Sequence, residues 1–356
     1  MPHPPLGVAV IGAGILGTRH ARVCHELPST HLVAVVDPDL ARATAVAEPR
    51  QARAFASIEE MLAAVGPAGS GEVQAACIAT PDHLHLAPVS AALEAGLDVF
   101  VEKPLAMAVG EAQAMAALAR ARGRVLMVNY SQRWLPEHQR IGALVRDGTL
   151  GTPAFVESHR WDAAWVPERM IAWSDRTTPI HFMSSHDIDL ILHWLNDRVV
   201  SVTALSHAGG LQEGRGLAGR VDGYAALLRT ARGTVVSLHS SWLLPDTFPL
   251  AADSWLELFG ARGSLFLGGS QRELKLYTPD RHERVTYAGP ATATEVNGRL
   301  EGAFTQSLSA FVEAVRARAF DTPTSAAGTL HVVEVQAAII RSAETGATVQ
   351  LAGGEG

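Results

Sequence analysis

The chain has 356 residues, 47% of them hydrophobic and 18% charged, the balance of a compact globular protein rather than a disordered one. That length is more than one ordinary core accommodates and predicts two domains of about 100–200 residues each. A formal net charge of −7, with no basic run, excludes nucleic acid and anionic membrane surfaces as the main partner and leaves small molecules.

The apolar opening Leu6–Gly17 has no Lys or Arg before it and is interrupted by glycines, so it reads as a strand and a turn rather than a secretion signal. Short runs without polar alternation follow at Gly7–Ile11, Leu32–Asp37, Ala75–Ala79, Val99–Val101 and Val125–Val128, as expected of parallel strands covered on both faces. Helical stretches lie between them at Gly14–Leu27, Asp39–Ala47, Ile58–Ala64, Pro88–Ala95 and Val109–Arg122. Strands alternating with helices predict a doubly wound Rossmann sheet over residues 1–128. No run of about 18 apolar residues predicts a membrane span. Cys24 and Cys77 fall in the first helix and a buried strand without metal-type spacing, which makes a reducing cytoplasm the expected location.

From Asn129 the texture changes. All seven tryptophans lie between Trp134 and Trp255, and period-2 segments appear at Ala154–Ser158, Val199–Leu205, Tyr224–Leu228, Thr234–Leu238 and Trp255–Phe259. These predict antiparallel strands with one face open. Helices are expected around Ile188–Trp194, Phe304–Arg318 and Leu330–Thr345, so residues 129–356 form an α+β domain with a mostly antiparallel, open-faced sheet. Gly209–Gly219 and Gly353–Gly356 read as a loop and a frayed end.

Gly12-Ala13-Gly14-Ile15-Leu16-Gly17 fits G-x-G-x-x-G directly after a strand and at the start of a helix. There the glycines allow a tight turn and close approach of backbone to a pyrophosphate, and the helix start offers N–H groups. Asp37 ends the second strand twenty residues after Gly17, where an acid takes the ribose hydroxyls. A 2′-phosphate would meet like charge at Asp37, and Pro38-Asp39 supplies no adjacent Arg, so NAD is favoured over NADP. The alternative is that Asp37 merely caps the next helix.

Lys103 and Lys275 are the only lysines among 29 basic residues. A lysine at the C-terminal end of a Rossmann strand is therefore a rare choice. Lysine can release its proton where guanidinium cannot, so a proton-handling role accounts for it; the alternative is a surface cation paired with Glu102.

Thr80-Pro81-Asp82-His83-Leu84-His85, Ala92-Leu93-Glu94-Ala95-Gly96 and Val101-Glu102-Lys103-Pro104-Leu105 resemble the Gfo/Idh/MocA oxidoreductase family, which includes glucose–fructose oxidoreductase and inositol dehydrogenases. Gly148-Thr149-Leu150-Gly151 and Arg341-Ser342-Ala343-Glu344-Thr345-Gly346 extend the resemblance nearly end to end. It implies that Lys103 is the active-site lysine and that Thr80, Pro81, His85 and Glu102 border the cofactor, although turn packing explains His85 equally well. It also implies that the second half binds substrate and builds a homodimer or homotetramer through its sheet. The Lys103–Pro104 bond is a candidate for the cis form.

Ser184-Ser185-His186-Asp187-Ile188-Asp189 resembles the family's active-site signature, which makes His186 and Asp189 the second catalytic candidates, three apart on one helix face. Inositol-dehydrogenase-like members carry an aspartate four residues before that histidine, and Phe182 stands there instead. Either Lys103 carries the proton with His186 assisting, or His186 is the base without that aspartate. Tyr130, Arg133 and Arg160 are the further expected substrate contacts, beside Lys103 and His186. Trp161, Trp165 and Trp173 either stack on a sugar or lie in a subunit interface. His181 and His186 lack a third residue at metal-ligand spacing, so no metal is expected. The function expected is hydride transfer between NAD and a hydroxyl-bearing carbon of a sugar, polyol or inositol. The alternatives are an NAD-using glycosidase of the same fold and a non-catalytic NAD-binding regulator.

Overall fold

The structure, a computed structural model, describes residues 4–211, 217–268, 272–288, 291–322 and 324–352. The loop expected over Gly209–Gly219 lies partly, and the tail at 353–356 wholly, outside the described residues. Two compact units form, Met1–Trp134 with Pro290–Leu330, and Leu135–Gly289 with His331–Gly356.

The first unit begins with β1 (Leu6–Ile11), α1 (Ile15–Glu26), β2 (Thr30–Val36), α2 (Leu40–Ala47), β3 (Arg53–Phe55) and α3 (Ile58–Val65). It continues through β4 (Ala75–Ile78), α4 (Leu86–Glu94), β5 (Asp98–Val101), α5 (Val109–Arg122) and β6 (Leu126–Val128). β1, β4 and β5 are buried at every position, as their unbroken apolar runs require. Helix starts follow local chemistry: Asp39 accepts from Arg42 N at 3.1 Å and Ser57 from Glu60 N at 3.2 Å. The six strands are parallel in the order β3-β2-β1-β4-β5-β6. The order reverses between β1 and β4, opening a crevice at their C-terminal ends where ligands of such sheets bind. β3 escaped the sequence reading because a three-residue, partly exposed edge strand carries too little apolar signal.

The second unit contains α6 (Pro136–Arg146), β7 (Pro153–Ala163), α7 (Pro179–Phe182), α8 (Ser185–Leu195), β8 (Val199–Ala208), β9 (Val221–Thr230) and β10 (Val235–Leu244). β11 (Ala252–Gly260), β12 (Gly263–Gly268), β13 (Glu273–Tyr277) and β14 (His282–Thr286) follow. The chain then forms the hairpin β15 (Thr294–Val296) and β16 (Arg299–Glu301), then α9 (Ala303–Ala317), α10 (Ala326–Thr345) and β17 (Val349–Gln350). The nine-stranded sheet runs β14-β13-β12-β11-β7-β10-β9-β8-β17 and is antiparallel except where β10 pairs with β7. Val156, Leu228, Val236, Leu238 and Leu258 point to its buried face, while Phe155, Trp161, Leu205, Leu227 and Trp255 stand exposed on the other. Trp194 on α8 stacks on His138 of α6 and donates to its carbonyl at 3.0 Å.

A single boundary after residue 128 does not describe this packing. Phe304, Leu308, Phe311 and Val312 of α9 share one core with Val8, Val10, Leu32 and Phe100, and Phe100 stacks on Phe311 at 5.2 Å. Burying that apolar face returns residues 290–330 to the first unit. No helix among the described residues is long and apolar enough to cross a membrane.

Candidate active site

Gly12 sits at φ +95°, and a Cβ there would meet Ala79 O at 2.7 Å; one on Gly17 would meet Gly12 O at 1.7 Å. These two positions therefore admit only glycine, the first for the turn and the second for packing α1 on β1. A Cβ on Gly14 would meet nothing within 4 Å, so the space in front of the start of α1 is open. Ile15 is 57% exposed there, whereas Leu16 turns back onto the core.

Asp37 is buried and holds the loop: Oδ2 accepts from Ala13 N at 2.9 Å and Oδ1 from Asp39 N at 2.9 Å. The cap of α2 is Asp39, not Asp37. Contrary to expectation, a guanidinium does approach: Arg42 Nη1 lies 3.5 Å from Asp37 Oδ1, because one helical turn brings residue 42 back over the strand end. Thr80, after β4, has a buried hydroxyl with no partner among the described residues. The open cradle at Gly14, this orphaned hydroxyl and the strand-end carboxylate fit a dinucleotide.

Pro81 leads into a short turn of helix at Asp82–Leu84. His85 is buried, with Nδ1 at 2.9 Å from Pro104 O and Nε2 at 3.1 Å from Thr80 O. Its ring ties the end of β4 to the corner after β5, the packing role expected as one of its two alternatives. Lys103 is half-buried at that corner and the Lys103–Pro104 bond is cis.

Glu102, expected beside the cofactor, turns its carboxylate into the fold. Oε1 accepts from His20 Nε2 at 2.8 Å and Asn129 Nδ2 at 2.7 Å, and Oε2 from Lys103 N at 3.3 Å. Asn129 Oδ1 in turn accepts from Ser307 Oγ at 2.7 Å. Burial pushes the Glu102 carboxyl up, but its hydrogen bond and electrostatic pairing with His20, then the hydrogen bond from Asn129 and the positive charge of Lys103, outweigh it and hold the group below the usual carboxylate range. His20 lies between Phe100 and Phe304. Sequence reasoning missed His20, Asn129 and Ser307; the signal available was a histidine three residues after Gly17 on a buried helix face. Tyr130 is fully buried and Arg133 half-buried after β6.

In the second unit Thr178 caps α7 by accepting from His181 N at 3.3 Å, and α8 begins at Ser185. His186 is half-buried at this start and Asp189 buried one turn later. Arg160 of β7 forms a two-pronged pair with Asp187, both bonds 2.8 Å, which anchors the start of α8 to the sheet. Arg160, one of the expected substrate contacts, thus also steadies the helix start that carries His186. Phe182 packs with Trp165, Trp173 and Trp242 in an apolar cluster, while Trp161 is on the open sheet face. Among the described residues no group of three or more His, Cys, Asp or Glu is placed to hold a metal.

Residues 6–130 match the oxidoreductase family with an NAD-binding Rossmann fold, and residues 138–266 match the GFO/IDH/MocA C-terminal domain. The chain is 28% identical over 218 residues to 1,5-anhydro-D-fructose reductase of Ensifer adhaerens, 60% of each protein. It is 38% identical over 149 residues to inositol 2-dehydrogenase 1 of Paenarthrobacter aurescens, 41% of this chain and 42% of that protein. These matches span less than two thirds of either relative. The crystal structure of an oxidoreductase domain protein from Kribbella flavida superposes with a TM-score of 0.84 at 23% identity, covering 99% of this chain and 100% of that one, a likeness of fold. Two consecutive domain matches, on a 3-2-1-4-5-6 parallel sheet and an open-faced antiparallel one, place the chain in the GFO/IDH/MocA oxidoreductase family, with an NAD-binding Rossmann fold in its first unit.

Proposed function

We propose that the protein transfers a hydride between NAD and a hydroxyl-bearing carbon of a sugar, polyol or inositol. The observation that carries this reading is Lys103. It stands at the C-terminal end of β5 on a carboxylate fixed by three hydrogen bonds, whereas the other lysine, Lys275, is 44% exposed on a sheet edge region and paired with Glu273. NAD, when bound, supplies the hydride acceptor or donor. The Gly12–Gly17 loop and the start of α1 offer N–H groups to its phosphates, Asp37 takes its ribose hydroxyls, and the Thr80 hydroxyl is available beside it. Lys103 holds the reacting oxygen and exchanges its proton. His186 is the second proton-handling group, with Asp189 positioning it from the same helix face; Phe182 supplies no carboxylate for an aspartate–histidine relay. Carbohydrate-type substrates are those named for the two relatives above.

The exposed Phe155, Trp161, Leu205, Leu227 and Trp255 further lead us to assign the open sheet face to a second copy of the chain, giving a homodimer or homotetramer. Cys24 and Cys77 are both free and buried, in keeping with a cytoplasmic protein.

The test is incubation with NAD and a panel of monosaccharides, inositols and sugar acids, following absorbance of reduced nicotinamide. Turnover with a member of the panel is expected. NAD binding without turnover on any of them points instead to a regulator, and release of free sugar without net reduced cofactor to a glycosidase.

A further inference from the structure

Between residues 4 and 134 the described chain exposes three large apolar side chains, Ile15, Leu40 and Leu84, at 57%, 48% and 49%. Each stands just past the C-terminal end of a parallel strand, Ile15 after β1, Leu40 after β2 and Leu84 after β4. The other exposed ones in this unit, Val296 and Phe320, belong to the segment that returns at residue 290. One exposed leucine on a surface is ordinary. Three at the same edge of one sheet, on the strands that border the reversal of strand order, mark a surface built to be covered.

Neither leucine sits on a loose backbone. Asp37 accepts from Asp39 N, and Asp39 caps α2 through Arg42 N, so Leu40 opens that helix in a fixed position. Leu84 N donates to Pro81 O at 2.8 Å, and the ring of the next residue, His85, is pinned between Thr80 O and Pro104 O. Rigid turns thus hold both side chains half in water, where folding gains little from them.

Their place fixes which part of the dinucleotide they meet. Asp37, three residues before Leu40, takes the ribose that carries the adenine, so the base lies past the end of β2. β2 and β4 each pair with β1, which sets their ends roughly 10 Å apart. A flat ring between two carbon side chains takes up roughly 7–8 Å, which that gap accommodates.

We propose that Leu40 and Leu84 are the two walls of a slot that grips the adenine ring of NAD by its faces. This rests on the placement of the dinucleotide at Gly14 and Asp37. Ile15, beside the Gly14 cradle, belongs to the phosphate side.

The test is calorimetric titration of the full-length protein with ADP-ribose, which carries the adenine but no nicotinamide, and with nicotinamide mononucleotide, which carries the reverse. Half a leucine side chain taken out of water corresponds to about three- to tenfold in affinity. Leu40→Ser and Leu84→Ser should each weaken ADP-ribose by that factor, and the double variant by about ten- to a hundredfold. Binding of nicotinamide mononucleotide should not change. Leu40→Met and Leu84→Met keep the apolar area and should stay within about twofold of wild type. The serine variants should melt within about two degrees of wild type, since each side chain is already half in water, and this separates a lost contact from a lost fold. Serine variants that bind ADP-ribose as tightly as wild type, or that weaken nicotinamide mononucleotide by the same factor, overturn the slot and leave the cofactor placement intact. Wild-type protein with no affinity for ADP-ribose overturns the placement at Asp37 and the slot with it.

Discussion

Alanine at Gly14 and at Gly17 should separate cofactor binding from folding. At Gly17 the new Cβ would lie 1.7 Å from Gly12 O, a backbone atom that cannot swing aside, so α1 must move off β1 or the loop must open. Overpacking of this kind costs about 1–3 kcal/mol and often more. In a unit of this size each kcal/mol lowers the melting temperature by about 2–4 °C, so a fall of about 3–10 °C is expected. At Gly14 the Cβ meets nothing within 4 Å, and φ −73°, ψ −163° is open to any residue. The folded protein should therefore melt within a degree or two of wild type, since the change at a helix N-cap from Gly to Ala costs only some tenths of a kcal/mol or a little more. That methyl, however, points into the space where backbone must approach a pyrophosphate, and NAD affinity should fall at least tenfold, about 1.4 kcal/mol. Thermal melts with and without NAD, together with calorimetric titration, read both quantities. Gly14→Ala binding NAD as tightly as wild type would place the dinucleotide elsewhere and refute the reasoning.

Lys103→Arg keeps the charge but cannot release a proton, so NAD binding should survive while kcat falls by about two to four orders of magnitude; near-normal turnover would shift the proton to His186, and His186→Ala measured in parallel shows which of the two costs more. NAD should bind at least tenfold more tightly than NADP because of Asp37, and Asp37→Ser should narrow or invert that ratio by leaving Arg42 free to meet a 2′-phosphate, as titration with both cofactors will show. Burial, and then the charges of Arg160 and Arg272, push the His138 imidazole down to about 3. The unfolded chain therefore binds one more proton than the folded one between about pH 6.5 and 3, and stability drops across that window by up to about 1.4 kcal/mol per pH unit. His138→Leu should flatten this part of the profile in urea unfolding at pH 7, 6 and 5, and parallel wild-type and variant slopes would contradict the assignment.

The sequence by itself determined the dinucleotide loop and the run of alternating strands and helices around it, because those demands are local. A strand of Val, Ile and Ala, a turn that only glycine can make and a helix start are all written within residues 6–26, and no distant contact can substitute for them. Lysine 103 was legible for a different reason: in a chain built almost wholly on arginine, one lysine at a strand end stands out by its chemistry. Edge elements were less legible. β12 to β14 are short and partly exposed, and their alternation is blurred by charged residues: Glu273 pairs with Lys275 on its own strand and with Arg284 across to β14.

Only the tertiary structure decided which side chains meet. Arg42 reaches Asp37 through one turn of helix, Arg160 meets Asp187 across 27 residues, and Ser307 completes the Glu102 network 178 residues after Asn129. Sequence spacing gives no bearing on such pairs, because a side chain's partner depends on how faces of separate elements are turned toward each other. The same holds for the return of α9 to the first core: its apolar period announces a helix with a face to bury, but the period is the same whichever core receives it. What Glu102 touches is decided in the same way, because His20 and Asn129 reach its carboxylate only when α1 and the end of β6 fold beside β5.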